Sequence, residues 1–323
     1  LVGEDPFLKM NDIPQTTIGV DLGDNKHHYC ILDQAGKRVG EGTLPNTREA
    51  LTGLARKYPG ARVALEVGTH SPWISEHLLE LGCEVYVANA RKLRAVYENE
   101  RKCDERDARM LAKIARLDPD LLSPVDHISQ EAMADRLVLG QRDRLVKLRK
   151  ELVQSVRTSL KSLGKTLSTC SAPAFPARAR TALAGESACL LVSIGPSLSA
   201  IEAMSASIAQ LDGQIERLGT EKYPAAHQLR QIAGVGPVTS LAFVLAVEDP
   251  RRIEATRDIG AYFGIVPRRD QSGGSDKALG ISKTGNAYVR TLLVQCAQHI
   301  LGPRGTESDL RRFGLKLAER GGK

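Results

Sequence analysis

The order of elements in the first ninety residues restricts the fold more than any other feature of this chain. Residues 17–22, 28–32 and 39–44 are short β-branched and apolar runs. Asp24-Asn25-Lys26 and Gln34-Ala35-Gly36-Lys37 separate them at hairpin distances with turn-forming residues. Residues 47–57 then carry a helical pattern with Asn46 or Thr47 as the cap, and residues 62–66 return to a strand. A helix at 71–81 and a strand at 84–88 follow.

Three antiparallel strands followed by alternating helix and strand are the order of a ribonuclease-H-like α/β fold. In that frame Asp21, in Ile-Gly-Val-Asp-Leu-Gly, ends the central first strand. Glu66, in Val-Ala-Leu-Glu-Val-Gly, ends the fourth. Residues 104–117 predict a helix because Leu111, Ile114 and Ala115 share one face, and Asp118-Pro119 stops it. Asp104 and Asp107 are three apart and so are neighbours on that helix. Two acids at strand ends and two on one helical turn are oxygen ligands of the kind Mg²⁺ takes, Mn²⁺ being an alternative. Asp107 has a plainer reading as well, because an acid in the first turn stabilises its own helix. His27 and His28 lie near Asp21 without metal-ligand spacing and read as structural.

The 323 residues suffice for more than one domain, with 42% hydrophobic and 26% charged residues. No apolar run reaches the roughly 18–20 residues of a membrane span. The first residues, Leu-Val-Gly-Glu-Asp-Pro-Phe, lack the zones of a signal peptide. Six scattered cysteines without a Cys-x-x-Cys pair argue against structural zinc and for a reducing, cytoplasmic setting. The formal charge is +7. From residue 267 onward eleven Lys and Arg face five Asp and Glu, so nearly all the excess lies there. Such a segment suits a phosphate backbone.

Four regions are expected: a tail at 1–14, the α/β domain at 15–125, a helical region at 126–222 and a terminal domain at 223–323. Leu137, Leu145, Leu148, Leu152, Val156, Leu160 and Leu163 recur at three- and four-residue steps within a charged helix at 130–167. That stripe predicts a helical hairpin or coiled coil, within one chain or between copies. Residues 168–185, rich in Ser, Ala and Pro, read as a hinge before a second helix at 198–218. Gly234-Val235-Gly236 between two helices predicts the turn of a helix-hairpin-helix, where backbone amides meet phosphate. Residues 287–301 read as a buried helix.

Ser272, in Gln-Ser-Gly-Gly, lies in what reads as a flexible loop. A hydroxyl there is a candidate nucleophile, with Arg268, Arg269, Lys277 and Lys283 to neutralise a phosphorane. Arg290 joins them as a nucleic-acid contact. Ser275, Ser282 and Thr284 are the competing hydroxyls, and Ser282 and Thr284 suit hydrogen bonds to phosphate oxygens.

With these residues in view, the chain resembles the DEDD transposases of the insertion-sequence one-ten family, the bridge-RNA-guided recombinases. The resemblance runs from about residue 16 to about 300. It rests on Gly-Val-Asp-Leu-Gly (19–23), Leu-Glu-Val-Gly (65–68), Asp-Glu-Arg-Asp-Ala (104–108), Gly-Val-Gly-Pro (234–237), Gly-Ile-Val-Pro (264–267), Gln-Ser-Gly (271–273) and Gly-Ile-Ser-Lys-Thr-Gly-Asn (280–286). Cys103 stands where a Thr is common. The resemblance implies a RuvC-like domain, a coiled-coil insert and a mainly helical transposase domain. It implies that Asp21, Glu66, Asp104 and Asp107 bind Mg²⁺ and that Ser272 forms a phosphoserine link to DNA. It further implies donor and target double-stranded DNA, a noncoding guide RNA, and a homo-oligomer, dimer or tetramer, whose protomers share composite sites in a bacterial or archaeal nucleoid. A RuvC-like junction nuclease would use the acids without the serine. An actin-like kinase would need phosphate and adenosine loops not seen in the sequence.

Overall fold

The computed structural model describes residues 14–89, 103–253, 255–272 and 275–320. Residues 1–13 of the expected tail and the two glycines after Ser272 lie outside the described residues. Two compact units divide the chain, the first reaching Gln130 and the second beginning at Glu131.

In the first unit, β1 (Thr16–Asp21), β2 (Lys26–Asp33) and β3 (Arg38–Pro45) form an antiparallel meander. Helix α1 (Arg48–Lys57) follows, with the Thr47 hydroxyl accepting from the Ala50 amide. Then come β4 (Arg62–Glu66), α2 (Ser71–Glu80) and β5 (Glu84–Ala88). The strand order is β3-β2-β1-β4-β5, with β4 parallel to both β1 and β5. This mixed sheet is compatible with a ribonuclease-H-like fold. The hairpin between β2 and β3 turns at Gly36 (φ +82°), where a side chain would be strained.

Period-two alternation sends the central strands' residues to opposite faces. Ile18, Val20, Ile31, Val63 and Leu65 pack against Leu51, Ile74 and Leu78 of α1 and α2. The other face is covered by α3 (Asp104–Leu117), whose Ala108 and Ala112 meet Cys30 and Leu32. Leu111, Ile114 and Ala115 of the same helix meet Ala64 and Ala88. Small residues on both sides let α3 lie close to the sheet.

Arg62 staples this layer. Its Nε and Nη2 donate to the two Glu84 carboxylate oxygens at 2.7 and 3.1 Å, and Nη1 donates to the Ala115 carbonyl at 3.1 Å. Burial alone would raise the Glu84 carboxyl, yet hydrogen bonds from Arg62 and Tyr86 hold it below its ordinary range. A depressed carboxylate contributes stability above its unfolded pKa, about 4.3, and loses it as pH falls through the folded value. Arg62→Met is therefore expected to cost about 2 kcal/mol near neutrality, less than a fully buried pair because Glu84 is half-exposed. Thermal melts of wild type and variant should converge as pH drops below that range. A constant gap down to strong acid would show that the ion pair is not the source.

The second unit opens with α4 (Gln130–Ser162), α5 (Phe175–Ala182) and α6 (Ala188–Arg217). Helices α4 and α6 pair antiparallel. Arg142 donates to Asp212 at 2.5 Å, and Arg149 donates to the Ser205 hydroxyl at 3.1 Å. Val156 and Leu160 meet Ile194, Leu198 and Ile201. Each seven residues up α4 match seven down α6, the spacing of heptad packing. The expected stripe needs correction. Leu137, Leu148 and Leu163 are exposed, while Ala132, Leu139, Val156 and Leu160 are buried. Half-buried arginines share that face, which apolar counting passes over.

The expected hinge contains α5. Phe175, Ala179 and Leu183 repeat every four residues and join the hairpin core, and Pro176 sits in the first turn where its missing N–H costs nothing. The second long helix begins at Ala188 rather than near 198, capped by the Ser187 hydroxyl, and runs through Pro196. An interior proline removes one helical bond, which the packing of Ile194, Leu198 and Ile201 offsets. Residues 188–222 also contain an 18-residue window of mean hydropathy 1.4, so one stretch is apolar enough by length and composition to cross a bilayer. The expectation of no such stretch is corrected there. Single residues look unremarkable because Ser, Ala and Gly separate the larger ones.

Helix α7 (Pro224–Leu229), the 234–236 turn and α8 (Pro237–Val247) follow. Gly234 has φ +94°, and a Cβ there would stand 2.7 Å from Ile300 Cγ1, so helix packing already requires this glycine. A short α9 (Ile259–Tyr262) leads to the hairpin of β6 (Pro267–Ser272) and β7 (Ser275–Ile281). Helices α10 (Ala287–Leu301) and α11 (Asp309–Glu319) end the unit. The helix expected to be buried at 287–301 buries only Val289 and Ile300, because one face alone meets its neighbours.

Candidate active site

A glycine sets the position of the acids. Helix α3 lies so close over β1 that a Cβ on Gly19 would fall 1.9 Å from the Ala108 carbonyl oxygen. Any side chain there would lift the helix. Asp21 is two residues along β1 and projects from the same face. It pairs with His28 across β1 and β2, and His28 Nε2 stands 3.7 Å from Asp104 Oδ2. Glu66 ends β4, one step beyond the Val20–Leu65 pairing. Ala64, two residues earlier, packs beneath α3, so Glu66 faces that helix too. Both strand-end acids and the first turn of α3 therefore meet at one end of one sheet face.

Asp21, Glu66 and Asp107 are half-buried there, and Asp104 is exposed. Cys103 supplies no side-chain cap to α3, and the acids of its first turn favour the helix dipole instead. Among the described residues, no three His, Cys, Asp or Glu side chains stand close enough to hold a metal ion. The two histidines differ. His27 is fully buried and accepts from the Gly23 amide, and burial lowers its pKa, keeping it neutral as the structural reading expects. His28 instead borders the acids, a position legible only once the β1–β2 register is known.

Ser272 is the last residue of β6, paired with Ser275. The expected flexible loop is thus a strand end in a hairpin. Arg268, Arg269, Lys277 and Lys283 are exposed on or beside this hairpin. Arg290 is half-buried and donates to the carbonyls of Phe263 and Thr284. The Ser282 and Thr284 hydroxyls are 3.0 Å apart. The acids belong to the first unit and the serine hairpin to the second.

Residues 18–164 match the model of DEDD transposases of the IS110 type, and residues 226–309 match that of transposases of the IS116/IS110/IS902 family. The chain belongs to the IS110 family of transposases. It is similar to a probable family 20 transposase of Pseudomonas aeruginosa, 27% identical over 93% of this chain and 88% of the relative. The transposase for insertion sequence element IS1111A of Coxiella burnetii is 27% identical over 94% of this chain and 83% of its own. That for IS1328 of Yersinia enterocolitica is 26% identical over 88% and 83%. This transposase is thus a DNA-processing enzyme, and its DEDD domain implies a divalent metal. The donor set fits one. Carboxylate oxygens from β1, β4 and α3, gathered at a sheet end, are ligands for a hard cation rather than for zinc.

Proposed function

We propose that the chain moves an insertion sequence by cutting and rejoining DNA, with Asp21, Glu66, Asp104 and Asp107 as ligands of Mg²⁺, or Mn²⁺, and Ser272 as nucleophile. The observation that carries the metal half is the strand pairing of Asp21 with His28, whose Nε2 lies 3.7 Å from Asp104 Oδ2 on α3. Bound there, the cation would neutralise charge on the reacting phosphate. The Ser272 Oγ–phosphorus bond forms as the phosphorus–O3′ bond breaks. The serine proton ends on the departing 3′ oxygen, leaving a 5′-phosphoserine. Arg268, Arg269, Lys277 and Lys283 hold the phosphate backbone, a role supported by their exposure around the hairpin. The turn at 234–236 adds a backbone-amide contact to phosphate. A noncoding guide RNA selects donor and target duplexes, and protomers of a homo-oligomer complete each other's sites in the nucleoid; both rest on the family resemblance.

A junction nuclease using the acids alone would leave no protein on DNA. Incubating the chain with Mg²⁺, a duplex spanning the element's end and the RNA transcribed beside the gene should yield protein covalently joined to cut DNA. Cleavage without any such adduct would favour the nuclease.

A further inference from the structure

The base of the serine hairpin is tied down at many points. Gly264 (φ +66°) and Gly285 (φ +70°) admit no side chain, since a Cβ would fall 2.1 Å from the Thr284 oxygen and 2.0 Å from the Tyr262 oxygen respectively. The Lys283 amide donates to the Gly264 carbonyl at 3.0 Å, and the Ser282 amide to Val266 at 2.9 Å. Lys283 itself holds φ +55°, a left-handed conformation that a non-glycine residue keeps only when its surroundings enforce it. Arg290, one turn into α10, completes the tie. Its Nη1 donates to the Phe263 carbonyl at 2.9 Å, in the turn between α9 and β6, and to the Thr284 carbonyl at 2.7 Å, in the segment between β7 and α10. Phe263 is buried with its ring 5.2 Å from that of Phe243, which fixes the same point to α8.

We propose that Arg290 is a positioning residue: one guanidinium nitrogen ties the segment leading into β6 to the segment leaving β7 and so fixes the base of the hairpin. The sequence reading made it a nucleic-acid ligand from its charge and position. A guanidinium that commits Nη1 to two backbone carbonyls is instead part of the mount, and hydrogen bonds from a charged donor are stronger than neutral ones. The consequence for chemistry rests on Ser272 being the nucleophile, since a serine at the far end of β6 moves with any rocking at the hairpin's base.

The test compares full-length wild type, Arg290→Ala and Arg290→Lys. Amide hydrogen exchange should rise about tenfold in 267–272 and 275–281 for Arg290→Ala, while amides of α4 stay unchanged. Affinity for a generic duplex should hold within about twofold with the salt slope unaltered, whereas loss of a phosphate ligand lowers that slope by about 1. Adduct formation should slow about tenfold, with partial recovery in Arg290→Lys, which keeps a charged donor. Unmoved hairpin exchange, or weakened DNA binding with a reduced salt slope, would overturn the proposal. If Arg290→Ala does not fold, Arg290→Lys decides alone: raised hairpin exchange supports the clamp and wild-type exchange refutes it. Absence of any adduct from wild type would remove the nucleophile reading and leave the exchange result standing.

Discussion

Glu66→Gln and Asp21→Asn should each lower strand cleavage about a thousandfold or more, because removing one carboxylate ligand forfeits several kcal/mol of metal-borne charge stabilisation. Both substitutions keep shape and one acceptor oxygen, and both positions sit at strand ends outside the apolar clusters. The melting temperature of the chain should therefore change little. Asp21 and Glu66 come from neighbouring strands and are half-buried, while Asp104 is exposed in the first turn of α3. Asp104→Asn is expected to be the milder change of the three. Cleavage is read on labelled duplex with Mg²⁺ and again with Mn²⁺. Wild-type rates for Glu66→Gln in Mg²⁺ would mean that the acids are not the metal ligands.

Ser272→Ala should eliminate the covalent protein–DNA adduct, and Ser275→Ala should retain it within about threefold. The contrast is sharper than chain position alone suggests. The two residues are register partners at the last rung of β6 and β7, so a general loss of hairpin structure would affect them alike. Ser272→Cys should keep a trace, since a thiolate attacks phosphorus poorly in a site built for oxygen. The DNA-linked peptide, mapped by mass spectrometry, should carry its modification on Ser272. A link at Ser275, Ser282 or Thr284 would move the nucleophile.

Local signals sufficed wherever they agreed with the tertiary answer. The five strands of the first unit, α1 and α3 from Asp104 to Leu117 were legible to within a residue or two, and of the two candidate caps of α1 the structure uses Thr47 rather than Asn46. Disagreement arose where long-range packing outweighed local composition. Helix α5 forms in a Ser-, Ala- and Pro-rich stretch because Phe175, Ala179 and Leu183 complete the core of the α4–α6 hairpin. Pro196 fails to stop α6 for the same reason. The leucine stripe misled because Arg142 and Arg149 occupy the inner face through specific partners.

What the sequence determined by itself is chemical: which acids, which serine and which basic residues are present, and the order of elements that carries them. Residue type and short-range periodicity encode these directly. Three things were left to tertiary structure. Gly19 reads as one more strand residue until α3 is seen resting on it. His28 reads as structural until strand register sets it opposite Asp21 and beside Asp104. Arg290 reads from the sequence as a charge for DNA, and only the fold brings the Phe263 and Thr284 carbonyls to its Nη1. Each depends on contacts between segments far apart in the chain, and no window of sequence contains both partners.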